Sequence, residues 1–258
     1  MVNMSIFRYL LKNWEIGTKS LFARPSAIFV EGLTLCFIAI LQIIFVWVLT
    51  TLIPSESRAE LMLFLGTWQI ANSIYGVFFA WSHDRLNDII YDGQIDFLLL
   101  RPINAFYSLS FGRLDISNMF TIPIGIVLVC LGCHGLGLSL TIPSLLILCL
   151  FILLATLVIF LFYSALELTS IFTEGILTLI PIAENLVEFG SHPVKKYTSA
   201  LSPLFPIIAA INLPAEFVVE ALFSFKHFLP VLLTIGVLAL INVVLWRYGL
   251  KHYCGASS

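Results

Sequence analysis

Charged side chains are scarce: they make up 11% of the 258 residues, against roughly 25% in soluble domains. With 60% hydrophobic residues and a mean hydropathy of +1.03, such a chain cannot cover a water-exposed surface with polar groups. A soluble globular protein is excluded. The net charge of −2 is too small to imply a nucleic-acid partner. Regular alternation of apolar and polar residues is missing from the long apolar runs, which argues against a β-barrel and for membrane-spanning helices. Cysteine is sparse too. Cys36 and Cys149 fall within apolar runs and Cys254 in the tail, so no disulfide framework is expected. Cys130, Cys133 and His134 have haem-attachment spacing, but no second axial ligand is evident, and these cysteines read as small core residues. The sequence has no phosphate-binding G-x-x-x-x-G-K, no H-E-x-x-H and no G-x-S-x-G. It therefore reads as a non-enzyme needing neither cofactor nor metal, and any ATP hydrolysis must come from another chain.

What is present is a series of apolar runs. At ~20 apolar residues per crossing, about six spans fit. Residues 1–26 lack the h-region and cleavage site of a signal peptide. Ile6, Phe7, Leu10, Leu11 and Trp14 form an apolar helix face with Arg8, Lys12, Lys19 and Arg24 around it, which predicts an interfacial helix. Span one is expected at about Ala27 to Ile53, with Glu31 near its start. Span two, about Leu61 to Ser82, holds Gln69, Asn72 and Ser73 as interhelical contacts. Span three, about Tyr107 to Gly132, carries Arg113 and Asp115 low down and Pro123 in its middle; that proline should free the Met119 carbonyl and kink the helix. Arg113 and Asp115 are two apart and point to different helix faces. Glu31, Arg113 and Asp115 read as interfacial side chains that snorkel or pair across helices. Span four is expected at about Ser144 to Leu166.

The longest polar interruption is WSHDRLNDIIYDGQIDFLLLRPINAF, Trp81 to Phe106. Leu86, Ile89 and Ile90 lie at i, i+3, i+4 on a short amphipathic helix that Ser82 can cap and Gly93 can stop. Pro102 holds Arg101 out of the helical region and ends the segment in a bend. Such a helix either lies on the lipid surface or presents its apolar side to a soluble partner. Arg8, Lys12, Lys19, Arg24, Arg85, Arg101 and Arg113 fall on one side of the membrane and Arg58 on the other, so the N-terminus and this segment are expected in the cytoplasm. Six crossings would return the C-terminus there as well.

The fifth crossing has two readings. Residues 168–189 are moderately apolar; Glu167 precedes them, and Glu174, Glu184 and Glu188 lie within them. Residues 198–223 are more apolar but broken by Pro203, Pro206 and Pro214. The charge rule favours the second, keeping Lys195 and Lys196 inside. Proline-broken backbone suits a re-entrant piece, which favours the first.

The stretch I-x-x-G-x-I-D-x-L-L-L-R-P-I-N, Ile90 to Asn104, resembles the cytoplasmic signature of ABC-2-type transporter permeases in the branch with G-x-L-D-x-x-L-L-R-P. HPVKKYTSALSPLFPIIAAINLPAEFV, His192 to Val218, and WRYGLKHY, Trp246 to Tyr253, are similar to two further pieces of that branch; His192 and Ile95 depart from its pattern. The resemblance implies an all-α, six-helix permease bundle forming a single domain over residues 1–258. Its partners would be two cytoplasmic ATPases and a second permease, identical or paralogous, within the lipid of the inner (cytoplasmic) cell membrane. Residues 83–106 would couple to the ATPase, with Leu86, Ile89, Ile90, Gly93, Asp96, Arg101 and Pro102 as coupling residues. The resemblance also selects 168–189 as span five and makes 191–226 an external re-entrant region. Ionisable groups at depth usually face the bundle interior or water, so Glu174 and Glu184 are candidates for a translocation path. The expected function is the permease subunit of an ATP-driven exporter. The alternative is a proton-coupled secondary transporter using those glutamates, although no inverted repeat is visible.

Overall fold

A computed structural model describes residues 25–52, 57–81, 104–111, 114–139, 141–169, 180–192, 206–220 and 225–252, together with isolated positions at 11, 12, 14, 15, 18, 19, 89, 97, 99 and 100. Regular structure among these residues is entirely helical. Among the described residues, five helices are long and apolar enough to cross a membrane.

The first long helix, α1 (Pro25–Leu52), starts on a proline, which fits the first helical turn because its missing N–H has no partner to lose there. The second, α2 (Arg58–Tyr75), begins at a capping box: the Ser57 side chain accepts from the Glu60 N–H, with Glu60 in the positive first turn. It continues through a π-helical turn, Gly76–Ala80. A short helix α3 (Ala105–Ser110) and a 3-10 turn (Ile116–Thr121) lead into α4 (Ile122–Gly135). A hairpin with Gly137 at φ 66° joins it to α5 (Ile142–Leu168). Then come α6 (Ile180–Glu188) with a 3-10 turn Phe189–Ser191, α7 (Pro206–Glu220) and the closing α8 (Phe225–His252).

Pro123 does not kink a helix. It sits in the first turn of α4, where no donor is required of it, and the chain before it winds as a 3-10 turn capped by Asp115. The Met119 carbonyl, expected to be orphaned, accepts from the Ile122 N–H. Span three is thus shorter at its start than the apolar run suggests, and α4 extends beyond the expected end at Gly132 to Gly135.

Neighbour contacts fix the directions of the helices. α2 and α4 run antiparallel with their backbones in close approach. A Cβ on Gly66 would lie 2.8 Å from the Val129 nitrogen and 2.9 Å from the Gly125 oxygen, and one on Gly132 would lie 2.9 Å from the Ala59 oxygen. α5 and α8 run parallel: Phe151 faces Phe228, Asn242 Nδ2 donates to the Leu161 carbonyl at 2.8 Å, and Leu168 packs with Leu245 and Trp246. Two parallel helices in sequence require the chain between them to traverse the bundle once more. Below, the end bearing Pro25, Ala80, Leu168 and His252 is termed proximal, the other distal. The core lies among α2, α4, α5 and α7, with Leu63, Ala155, Val158 and Ile159 fully buried.

Candidate functional site

Two polar regions interrupt the apolar packing. The first is at the proximal end, where the chain leaves α2 and returns to α4. Asp115, in extended backbone, caps the 3-10 turn by accepting from the Ser117 N–H and also accepts from Asn118 Nδ2, both at 2.9 Å. Its own N–H donates to the Val77 carbonyl in the π turn at 2.9 Å. Ser73 and Thr121 share a hydrogen bond of 2.6 Å, and Asn118 lies directly against Gly76. From α1, Glu31 accepts from the buried Ser117 hydroxyl at 3.0 Å. Two irregular turns, which recur at functional positions in helices, are thus cross-linked at the base of the segment between them. The Trp14 ring of the N-terminal stretch lies 5.7 Å from that of Phe78, tilted by 56°. Within the segment itself, Ile89 is half-buried in a small cluster with Leu168, Phe106, Leu245 and Trp246, and the Phe106 and Trp246 rings lie 5.6 Å apart.

The second region lies at mid-depth, where α6 ends. Trp68, in the middle third of α2, donates its indole N–H to the Val187 carbonyl at 2.8 Å. Gln42, in the middle third of α1, donates to the Glu188 carboxylate at 3.3 Å. The Ser191 hydroxyl and His192 Nδ1 share a 2.7 Å hydrogen bond, and Asn212 Nδ2 of α7 donates to the His192 carbonyl at 2.9 Å. The Trp68 bond is buried and joins elements that share no turn, so Trp68→Phe should lower stability by about 1–2 kcal/mol. Thermal unfolding of the purified protein checks this, and an unchanged midpoint would make the bond energetically idle.

Buried polar links of this kind, in a bundle whose long helices are lipid-compatible, describe a polytopic membrane protein whose spans are tied by side-chain hydrogen bonds. The sequence matches the family described as ABC-2 family transporter protein over residues 37–257. The chain belongs to the ABC-2 transporter family. No curated protein and no solved structure matches it.

The ABC-2 protein is therefore a multi-pass membrane permease of an ABC transporter, all-α, from a family that forms the non-catalytic membrane component and associates with ABC ATPases. Of the coupling residues expected in this permease, Ile89 is described and turns toward its own bundle. Leu86, Ile90, Gly93, Asp96, Arg101 and Pro102 lie outside the described residues. Of the path candidates, Glu184 is exposed on α6 and Glu174 lies outside the described residues. The Cys130–His134 stretch divides between environments, with Cys130 and His134 exposed and Cys133 buried. Sequence reasoning missed Trp68, Gln42, Glu188 and Asn212 as a group. A polar residue in the middle of an apolar run was the available signal, and it had been read at Gln69, Asn72 and Ser73 but not at Gln42.

Proposed function

We propose that this permease exports its cargo as one of a pair of permeases, homo- or heterodimeric, powered by two cytoplasmic ATPases that dock on residues 83–106. The carrying observation is the seat of Ile89 against Leu168, the residue on which Phe106, Leu245 and Trp246 also pack. Through that seat, a push on the segment reaches the ends of α5 and α8. The bond from Asp115 to Val77 and the Ser73–Thr121 pair offer a second route, into α2 and α4. ATPase closure would then tilt four spans together and switch the path between inward and outward openings. Lys12, Lys19, Arg247 and Lys251 belong to the proximal end, against Arg58 and Lys226 at the distal, which supports a proximal end and both termini on the cytoplasmic side of the inner membrane. The parallel run of α5 and α8 calls for one more crossing between them, which we assign to 168–189, with 191–226 as an external re-entrant region. Glu174 and Glu184 are the residues of that crossing assigned to the path.

Tagged permease extracted in mild detergent from the cells that make it should retain an ATP-binding cassette ATPase, identified by mass spectrometry. Transport that persists without ATP and follows a proton gradient would replace this reading with a secondary transporter using the glutamates.

A further inference from the structure

The mid-depth polar region offers acceptors that the bundle does not use. Asn212 is 1% exposed; its Nδ2 is committed to the His192 carbonyl, and its Oδ1 has no hydrogen-bond partner. Gln42 likewise commits Nε2 to Glu188 and leaves a buried Oε1 without one. Glu188 itself is exposed, as is Glu184 one turn earlier on the same face of α6. An exposed carboxylate halfway across the bundle is costly against hydrocarbon, so this face is expected to meet water or cargo rather than lipid tails. Apolar rings stand beside it: Phe45 is 55% exposed with its ring 6.0 Å from that of His192, and Phe189 is 58% exposed. The buried atoms without a partner at this place, Gln42 Oε1 and Asn212 Oδ1, are acceptors, and among the described residues the basic side chains belong to the two ends of the bundle, not to α6 or α7.

We propose that Gln42, Glu188, His192 and Asn212 form a water-accessible cargo site at mid-depth, selective for an amphipathic cation: an ammonium or guanidinium on an apolar body. The cationic N–H groups would satisfy the carboxylate and the two amide oxygens, while Phe45 and Phe189 hold the apolar part. An anionic headgroup would meet the Glu188 carboxylate and the two amide oxygens and be disfavoured. The proposal rests on the permease reading above and gives it a substrate class.

The test uses full-length permease with its five cysteines replaced by serine and Phe45→Cys added, held in phosphatidylcholine nanodiscs. Thiol modification is followed with two methanethiosulfonate reagents, one carrying trimethylammonium and one carrying sulfonate. The ratio of cationic to anionic rate should exceed that of a free thiol in solution by about tenfold, as expected for one nearby negative charge in a wet site. Glu188→Gln should bring the ratio back to the free-thiol value. Phe189→Cys provides a second reporter if the first variant fails to fold by size exclusion. A ratio equal to that of the free thiol overturns the proposal, because the site is then not electronegative. Absence of reaction with either reagent overturns it as well, because lipid then covers the face. Neither result depends on whether an ATPase co-purifies, so failure of the permease reading would be seen separately.

Discussion

Gly66→Leu should be the most damaging single substitution in the bundle. At Gly66 even a methyl group would lie 2.8 Å from the Val129 nitrogen, 2.9 Å from the Gly125 oxygen and 2.9 Å from Leu128 Cβ. Two of these neighbours are backbone atoms, which cannot rotate aside as a flexible side chain would. A leucine therefore has to push α2 and α4 apart. Helices in hydrocarbon gain nothing from leaving water, so close packing and interhelical hydrogen bonds are what hold this pair. Separation would also stretch the Ser73–Thr121 bond and the link from Asp115 to Val77, because both bridge the same two elements. Overpacking of this kind costs about 3 kcal/mol or more when backbone must move. Loss of the folded fraction in thermal or detergent denaturation would register it. Gly236→Leu is the control, since Gly236 on α8 has nothing within 4 Å of where a Cβ would be. If the two variants unfold alike, close approach at Gly66 is not what holds α2 to α4.

That glycine contact shows where sequence reading stops. The apolar runs located the long helices because a stretch of some 20 apolar residues has one low-energy arrangement in lipid. Their facing was not legible. From Leu145 to Ala155 α5 is apolar all round, so nothing in that pattern says that Phe151 and Ile152 turn inward while Leu146 and Leu153 turn outward. Glycines such as Gly66 and Gly125 look like any other small residue until the partner helix is known. Polar residues inside runs were a better guide, though an incomplete one. Ser73 does bond across to α4, through Thr121, whereas the side chain of Gln69 bonds within its own helix to Ser73. The links at mid-depth join Gln42 to Glu188 and Trp68 to Val187, over 146 and 119 residues of chain. No local pattern encodes such separations. Asp115 illustrates the opposite case. Arg113, read as pointing to a different face, lies outside the described residues, whereas Asp115-Ile116-Ser117 ahead of Pro123 is the start signal of a helix, hidden within a long apolar run.

Replacing Ile89 by aspartate should disconnect the cytoplasmic segment from the bundle. The side chain is half-buried against Leu168, itself 2% exposed, on which Phe106, Leu245 and Trp246 also pack. An ionised carboxylate there would lose water without gaining a partner. A fully buried, uncompensated charge costs about 3–5 kcal/mol, and a half-buried one retains part of its hydration, so about 2–3 kcal/mol is the expected penalty. That moves the seated fraction by a factor on the order of a hundred. Because Ile89 faces the bundle, the ATPase should still bind, and its hydrolysis should continue at the basal rate. Transport should fall at least about tenfold, since the stroke would no longer reach α5 and α8. Asn87→Asp, two residues away on the same segment, should be mild. Measuring ATP turnover, ATPase retention and transport on one preparation separates the possibilities. Loss of the ATPase from the Ile89→Asp complex would mean that Ile89 enters the partner's groove instead of anchoring the segment. Full transport by the variant would remove Ile89 from the coupling route, and the links through Asp115 and Ser73 would then have to carry the motion alone.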